Sequence, residues 1–273
     1  MWGLEGDRSM RVLTVRRTLV AVAVGVVLYT ASPGLATSPE EVDRLNYAIA
    51  DNDLGRVEEI LATGINLNAW NEVGLTPLIY AVETFHDERI LHLLLESGAN
   101  VNVQMPRNGK TALMKAASSP FAYTAVPILL EHHADPNLED KRGYTALWSA
   151  IELFYNGDDI DPEVALDNLV LILEHEADPD HMVGSSTPIM LAAQEGFSEV
   201  VRVLAEFNAT TDLTNDENLT ARELALAFEH QDVAEFLNDW EGNATEELES
   251  EEPPGGSTEP AEEETAETAE PVG

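Results

Sequence analysis

Asp158, Asp159, Asp161 and Glu163 set four hard oxygen donors within six residues, the donor type that calcium takes. Calcium loops need ligands at fixed alternate positions around a central glycine, and Gly157 comes too early. The simpler reading is that Asp161-Pro162-Glu163 caps and opens a helix. His132-His133 and His175 form a second candidate set, because they close two successive apolar segments at equivalent positions. If those segments are neighbouring helices, axes about 8–10 Å apart make one shared ion a strained arrangement, and a histidine in the last turn is explained by its attraction to the helix C-terminus. No glycine-rich phosphate loop follows a strand pattern, and no serine or cysteine sits in a nucleophile elbow. The carboxylates are too numerous to single out a general acid and base. The expectation is no catalysis, no metal and no cofactor. What remains is recognition chemistry, carried by Arg107, Lys110, Lys141 and Arg142.

The elements that would carry those residues repeat. Ala48, Ala81, Ala116, Ala150, Ala192 and Ala225 lie at intervals of 33, 35, 34, 42 and 33 residues. Around them Gly74-Leu75-Thr76-Pro77-Leu78-Ile79-Tyr80-Ala81 aligns with the segments ending at Ala116, Ala150 and Ala192. Each has threonine to cap a helix, proline or alanine at its first position and a small residue in the preceding turn. Second apolar segments follow, such as Ile90–Leu95, Val126–Leu130 and Val200–Leu204. They end in turns such as Gly98-Ala99-Asn100-Val101-Asn102 and His133-Ala134-Asp135-Pro136-Asn137. The fourth unit is longer by about nine residues, an insertion expected to emerge as a loop between its two helices.

These residues closely resemble the ankyrin-repeat family, from about Pro39 to Trp240. The resemblance implies an all-α solenoid of stacked helix-turn-helix units with hairpin-like finger loops, about six units over residues 37–240. One feature departs from the family: the histidine that usually follows Thr-Pro-Leu is replaced by Ile79, Met114, Trp148 and Met190. The turn hydrogen bonds that histidine supports are thereby in doubt, and the apolar replacements are expected to pack between units. The ends look like caps, with Ser38-Pro39-Glu40-Glu41 reading as a capping box and Thr220 opening the last unit.

The family further implies a concave surface that binds another protein, built from finger tips and the exposed face of the first helices. Here the tips would be Asn71, Glu72, Val73 and Leu75, then Arg107, Asn108 and Lys110, then Lys141, Arg142 and Tyr144, with Val183, Gly184, Ser186, Asp216, Glu217 and Leu219 beyond them. Glu83, Thr84, Ser118 and Ser119 would be the helix positions. Arg107, Lys110, Lys141 and Arg142 are four of the ten basic residues after Ala36, all on two neighbouring fingers. With Tyr144 beside them, and Trp70, Glu72 and Val73 on the finger before, they are the candidate partner-binding set, suited to an acidic or aromatic segment. The plainer alternative is that these charges keep turns soluble and pair with Glu139 and Asp140.

Charge and the two ends bound the rest. With 51 acidic against 14 basic residues the formal net charge is -37. A nucleic-acid partner is therefore excluded, since that affinity comes largely from Lys and Arg on phosphates. The balance resembles proteins that stay soluble in concentrated salt. Arg11, Arg16 and Arg17 precede an eleven-residue apolar run, Leu19–Tyr29, and Gly34-Leu35-Ala36 supplies a cleavage site; this reads as a signal peptide over residues 1–36, with Met10 as an alternative start. The run is short against the roughly 20 residues of a bilayer span, so no stable membrane span is expected once the leader is removed. Export implies a periplasmic or otherwise exported monomer. With no cysteine there is no disulfide and no site for lipidation. Residues 241–273 hold twelve glutamates and no basic residue, and are expected to be a disordered tail. The function expected is a non-catalytic protein-binding scaffold, with an immunity-type inhibitor of a secreted toxin or hydrolase as the alternative.

Overall fold

The computed structural model describes residues 37–84, 87–120, 124–156 and 161–250. The expected leader, Asp158 and Asp159, and the tail beyond Ser250 lie outside them. Among the described residues there are twelve helices and no strand. They run α1 (Pro39–Ala50), α2 (Leu54–Leu61), α3 (Pro77–Thr84), α4 (Glu88–Glu96), α5 (Ala112–Ala117), α6 (Ala125–Glu131), α7 (Ala146–Asn156), α8 (Pro162–Glu174), α9 (Pro188–Glu195), α10 (Ser198–Glu206), α11 (Ala221–Ala227) and α12 (Gln231–Ser250).

Helix starts follow local chemistry. Ser38 and Glu41 form a reciprocal capping box on α1, as do Thr220 and Glu223 on α11. The hydroxyls of Thr76, Thr111 and Thr187 accept from the amides of Ile79, Met114 and Met190. Thr145 differs: its hydroxyl is buried without a partner, and the Ala146 amide turns to the Pro136 carbonyl at 3.3 Å. Asp161 caps α8 by accepting from the Glu163 amide, and Pro162 occupies the first helical position. That is the helical reading of the acidic insertion's end.

Successive helices pack as six hairpins, α1 with α2 through α11 with α12. The odd-numbered helices stack in one layer and the even-numbered in the other, each packing chiefly on its hairpin partner and on its neighbours in the row. This is solenoid packing: no unit buries its apolar face alone. The shared interior is continuous from Leu45 to Leu237. The alanines at the repeat positions are buried in every unit and let facing helices approach closely. Ile79, Met114, Trp148 and Met190 are buried too, so the residues that replace the family histidine do fill the space between units.

The turns after the second helices are tied into a ladder. The Asn66 amide donates to the Thr37 hydroxyl, Asn100 to Asn68 Oδ1, Asp135 to Asn102 Oδ1, Asp178 to Asn137 Oδ1 and Thr210 to Asp180 Oδ1, at 2.8–2.9 Å. One short polar side chain per unit thus accepts from the backbone of the next, which fixes the spacing between hairpins. Just before this ladder the chain takes a left-handed turn at Gly64 and Gly98, but also at His133 (φ 64) and Glu176 (φ 66). His133 therefore lies past the helix end rather than in its last turn, where His132 and His175 stand as caps. A side chain with a Cβ is strained there. Glu176→Gly is expected to raise stability by about 1 kcal/mol in urea denaturation; a loss would mean that Glu176 makes a compensating contact.

At the C-terminal end α12 continues to Ser250, ten residues past the boundary at Trp240 expected from sequence. Alanine, leucine and glutamate, frequent in this stretch, are strong helix formers.

Candidate protein-binding surface

The loops that join one hairpin to the next project as fingers, and four of the five are braced by an Asn or Asp side chain. In finger 1 (residues 71–75) Asn71 Oδ1 accepts from the amides of Val73 and Leu75; in finger 2 (105–110) Asn108 Oδ1 accepts from Lys110. In finger 3 (140–144) Asp140 Oδ1 accepts from Arg142 and Tyr144, and in finger 5 (215–219) Asn215 Oδ1 accepts from Glu217 and Leu219. Finger 4 (183–186) closes instead by a backbone bridge between Val183 and Ser186. Asn71 and Leu75 are consequently buried, not surface tips as the sequence suggests, because one holds the turn and the other plugs the core beneath it. Asp140, only 6% exposed, is likewise a brace. It does not pair with the Lys141 or Arg142 side chains.

Fingers 2 and 3 are joined backbone to backbone. The Lys141 amide donates to the Asn108 carbonyl at 2.8 Å, and Lys141 Nζ reaches the Pro106 carbonyl at 2.6 Å. Gln104 Nε2 bonds the carbonyls of both Gly109 and Glu139. Beyond this seam the Arg142 guanidinium lies over the Tyr144 ring, 4.4 Å from its centre, and donates to the Tyr144 hydroxyl at 3.0 Å. Tyr144 stands edge-on to Trp148, centroids 5.6 Å apart. Trp148 Nε1 donates to the His181 carbonyl at 2.9 Å, and His181 Nε2 lies 2.9 Å from the Gly143 carbonyl, which requires the proton on Nε2. Arg142 is therefore held in a fixed pose, by stacking that costs little solvent exposure.

The remaining candidates are less constrained. Arg107 and Glu72 are exposed, and Lys110 sits 4.0 Å from Glu152 on α7. Gly74 packs toward Pro106 and Arg107, so finger 1 abuts finger 2, and Val73 on finger 1 is 55% exposed. Trp70 is also exposed, at 47%, but no described contact joins it to Tyr144. On the helix side of the surface, Lys115 Nζ lies 2.7 Å from Glu83 Oε1 and ties α5 to α3. The hydroxyls of Thr84 and Ser118 bond back to the carbonyls of Tyr80 and Met114. Farther along, burial and then the Glu195 carboxylate push the Tyr155 phenol above its ordinary range, so it stays a neutral donor.

Sequence reasoning placed Trp148 only as packing; the structure adds that its indole N–H takes over the cross-unit hydrogen bond that an apolar residue in its place cannot make. The spacing Asn71 to Gly74 and Asp140 to Gly143 is the readable signal for the braces. Among the described residues no group of three or more His, Cys, Asp or Glu is placed to hold a metal ion, and no helix is long and apolar enough to cross a membrane. His175 Nδ1 meets the Leu171 carbonyl at 2.8 Å.

A two-layered helical solenoid with braced fingers along one side defines a repeat protein of the interaction type. The family description for ankyrin repeats in three copies matches residues 85–160 and 163–246, and the chain belongs to the ankyrin-repeat family. Proteins of this family are in general non-catalytic modules that bind other proteins. The chain is similar to the ankyrin repeat, SAM and basic leucine zipper domain-containing protein 1 of Colobus guereza, 30% identical over 121 residues. That match covers 43% of this chain and 25% of the relative. The corresponding protein of Dasypus novemcinctus is 31% identical over 121 residues with the same coverage, so the match spans a quarter of these relatives' length. Among solved structures, EF0377, an ankyrin repeat protein, superposes with a TM-score of 0.61 at 24% identity, over 72% of this chain and 97% of that one. A chain from the complex of the Bd0816 predatory endopeptidase of Bdellovibrio bacteriovorus with the immunity protein Bd3460 gives a TM-score of 0.57 at 24% identity, with the same coverage.

Proposed function

We propose that the chain is an exported scaffold or adaptor that captures a partner protein on its concave surface, with fingers 2 and 3 as the centre of contact. The observation that carries this reading is the Arg142–Tyr144–Trp148 stack, which runs from finger 3 onto α7, with finger 3 bonded to finger 2 through the Lys141 amide. A preordered arginine on an aromatic ring loses little freedom on binding, and Arg, Tyr and Trp dominate interface energetics. In a chain of net charge -37, a local cluster of Arg107, Lys110, Lys141 and Arg142 also gives an acidic partner segment one place to dock. The apolar run and small-residue site before Thr37 support export, to the periplasm or otherwise out of the cytoplasm.

The test is crosslinked capture from a periplasmic extract by the wild-type chain and by Arg107→Glu/Arg142→Glu. Neither residue braces a turn through its side chain, so the fold should persist. A specific coeluting protein should be lost by at least tenfold in the variant; equal recovery would remove fingers 2 and 3 from the interface.

A second reading is an immunity-type inhibitor. A chain of a solved endopeptidase–immunity protein complex shares this fold, a likeness that speaks for fold alone. Under this reading the captured protein is a secreted hydrolase or toxin, and the purified chain abolishes its activity at equimolar ratio. Under the first, the partner keeps its activity when bound.

A further inference from the structure

The opposite side of the solenoid, formed by the second helices, carries a groove of about 510 Å³ across α4, α6 and α8. Pro127, Ile128 and Val164 give it apolar surface, and Glu88, Glu131 and Asp167 are its carboxylates, with His92 at one end. Carboxylates alone say little on so acidic a chain. Two other residues of the groove say more.

Thr124 caps α6 but makes no capping hydrogen bond. Two features account for it: Thr124 has helical rather than extended backbone angles, φ -72 and ψ -13, and the third position, from which a capping hydroxyl commonly accepts, is Pro127, which has no N–H. The hydroxyl is left without a partner. Asn168 lies in the middle of α8, is only 4% exposed and lines the same groove, and its Nδ2 has no partner either. A buried amide donor of this kind lowers stability unless something else accepts from it. Leucine at position 168 would fill the same space without that cost.

We propose that this groove binds an arginine-bearing extended segment of a partner protein. Asn168 Nδ2 donates to a main-chain carbonyl of the segment, and the Thr124 hydroxyl accepts from or donates to its backbone. The arginine guanidinium lies among Glu88, Glu131 and Asp167, its planar donors matching carboxylates and its alkyl stem covering Ile128 and Val164. The volume is that of an ordinary small-ligand site and suits one residue with its flanking peptide groups. The site faces away from the fingers, so it is independent of the concave surface and adds a second, oppositely charged contact.

The experiment is an NMR titration of the 15N-labelled chain with N-acetyl-arginine methylamide, compared with its neutral citrulline analogue and with 1,4-diaminobutane. The expected result is a saturable shift of the Asn168 side-chain amide, at least tenfold tighter for the arginine compound than for either other probe. Followed at the backbone amides of Ile128 and Asp167, which also line the groove, the saturable shift should be lost in Asn168→Leu and weakened severalfold in Asp167→Asn. Asn168→Leu should also melt at a higher temperature than the wild type, and Thr124→Val serves if that variant does not fold. Equal response to diaminobutane, which has no carbonyl, would reduce the groove to a general cation-attracting surface and overturn the proposal. So would equal response to the citrulline analogue, or a shift that survives Asn168→Leu.

Discussion

Trp148→Ala is expected to lower stability by about 3–5 kcal/mol, the usual cost of emptying a large aromatic site in a packed interior. The indole is 3% exposed, so nearly all of its surface is lost from the core, and the cavity opens between α7 and its neighbours in the stack. Two further contacts go with it. Tyr144 loses the ring that supports it, and the His181 carbonyl loses its donor at 2.9 Å. Trp148→Phe narrows the loss: it keeps a ring in the core but removes the N–H and part of the indole's volume, so at least about 1–1.5 kcal/mol should be lost. Unfolding followed by far-ultraviolet circular dichroism in urea measures both, without relying on the emission of a residue being replaced. A loss under 1 kcal/mol for the alanine variant would mean that the units repack around the gap and that fingers 3 and 4 are not held by the indole. If the basic surface is the binding centre, the same variant should weaken capture of the partner more than its stability loss alone explains, because Arg142 would no longer stand on a supported ring.

Trp148 also marks where the sequence was readable and where it was not. The repeat interval, the Thr caps and the small residues in the turns are local signals, and each acts within a few residues of itself; α1 and α8 start at the residues whose side chains cap them. That the residue at the family-histidine position packs inward was legible for the same reason, since a leucine or isoleucine precedes it and the repeat alanine follows two residues on in every aligned segment. Whether it also makes a hydrogen bond depends on a carbonyl 33 residues away in the next unit, and no pattern within one repeat reports that. The brace residues show the same division. Asn71 and Asp140 look like exposed turn residues because polar side chains usually are, yet each is buried by the amides it accepts from. The alternative by which Lys141 and Arg142 pair with neighbouring carboxylates does not extend to Asp140, because its carboxylate is already committed to backbone amides. The candidate surface was thus legible as a list of positions, but its internal order came from contacts between units.

Gly109 and Gly143 provide a test of that order, because they share a backbone conformation and differ in surroundings. Both have φ of 83° in the left-handed region, so alanine at either costs roughly 1–2 kcal/mol from conformation alone. At Gly143 an added Cβ meets nothing within 4 Å. At Gly109 it would stand 2.9 Å from the Lys141 amide nitrogen and 3.1 Å from the Asp140 Cα, and those atoms are backbone that cannot swing aside. Finger 3 would have to move away, breaking the bond from the Lys141 amide to the Asn108 carbonyl. Gly109→Ala is therefore expected to cost about 1–3 kcal/mol more than Gly143→Ala, the range of other overpacked sites. Amide exchange gives the finer reading. The Lys141 amide should exchange at least tenfold faster in Gly109→Ala than in Gly143→Ala at matched overall stability. Equal costs and equal exchange in the two variants would mean that fingers 2 and 3 slide freely past each other, and the rigid pair that presents Arg142 would then have no physical basis.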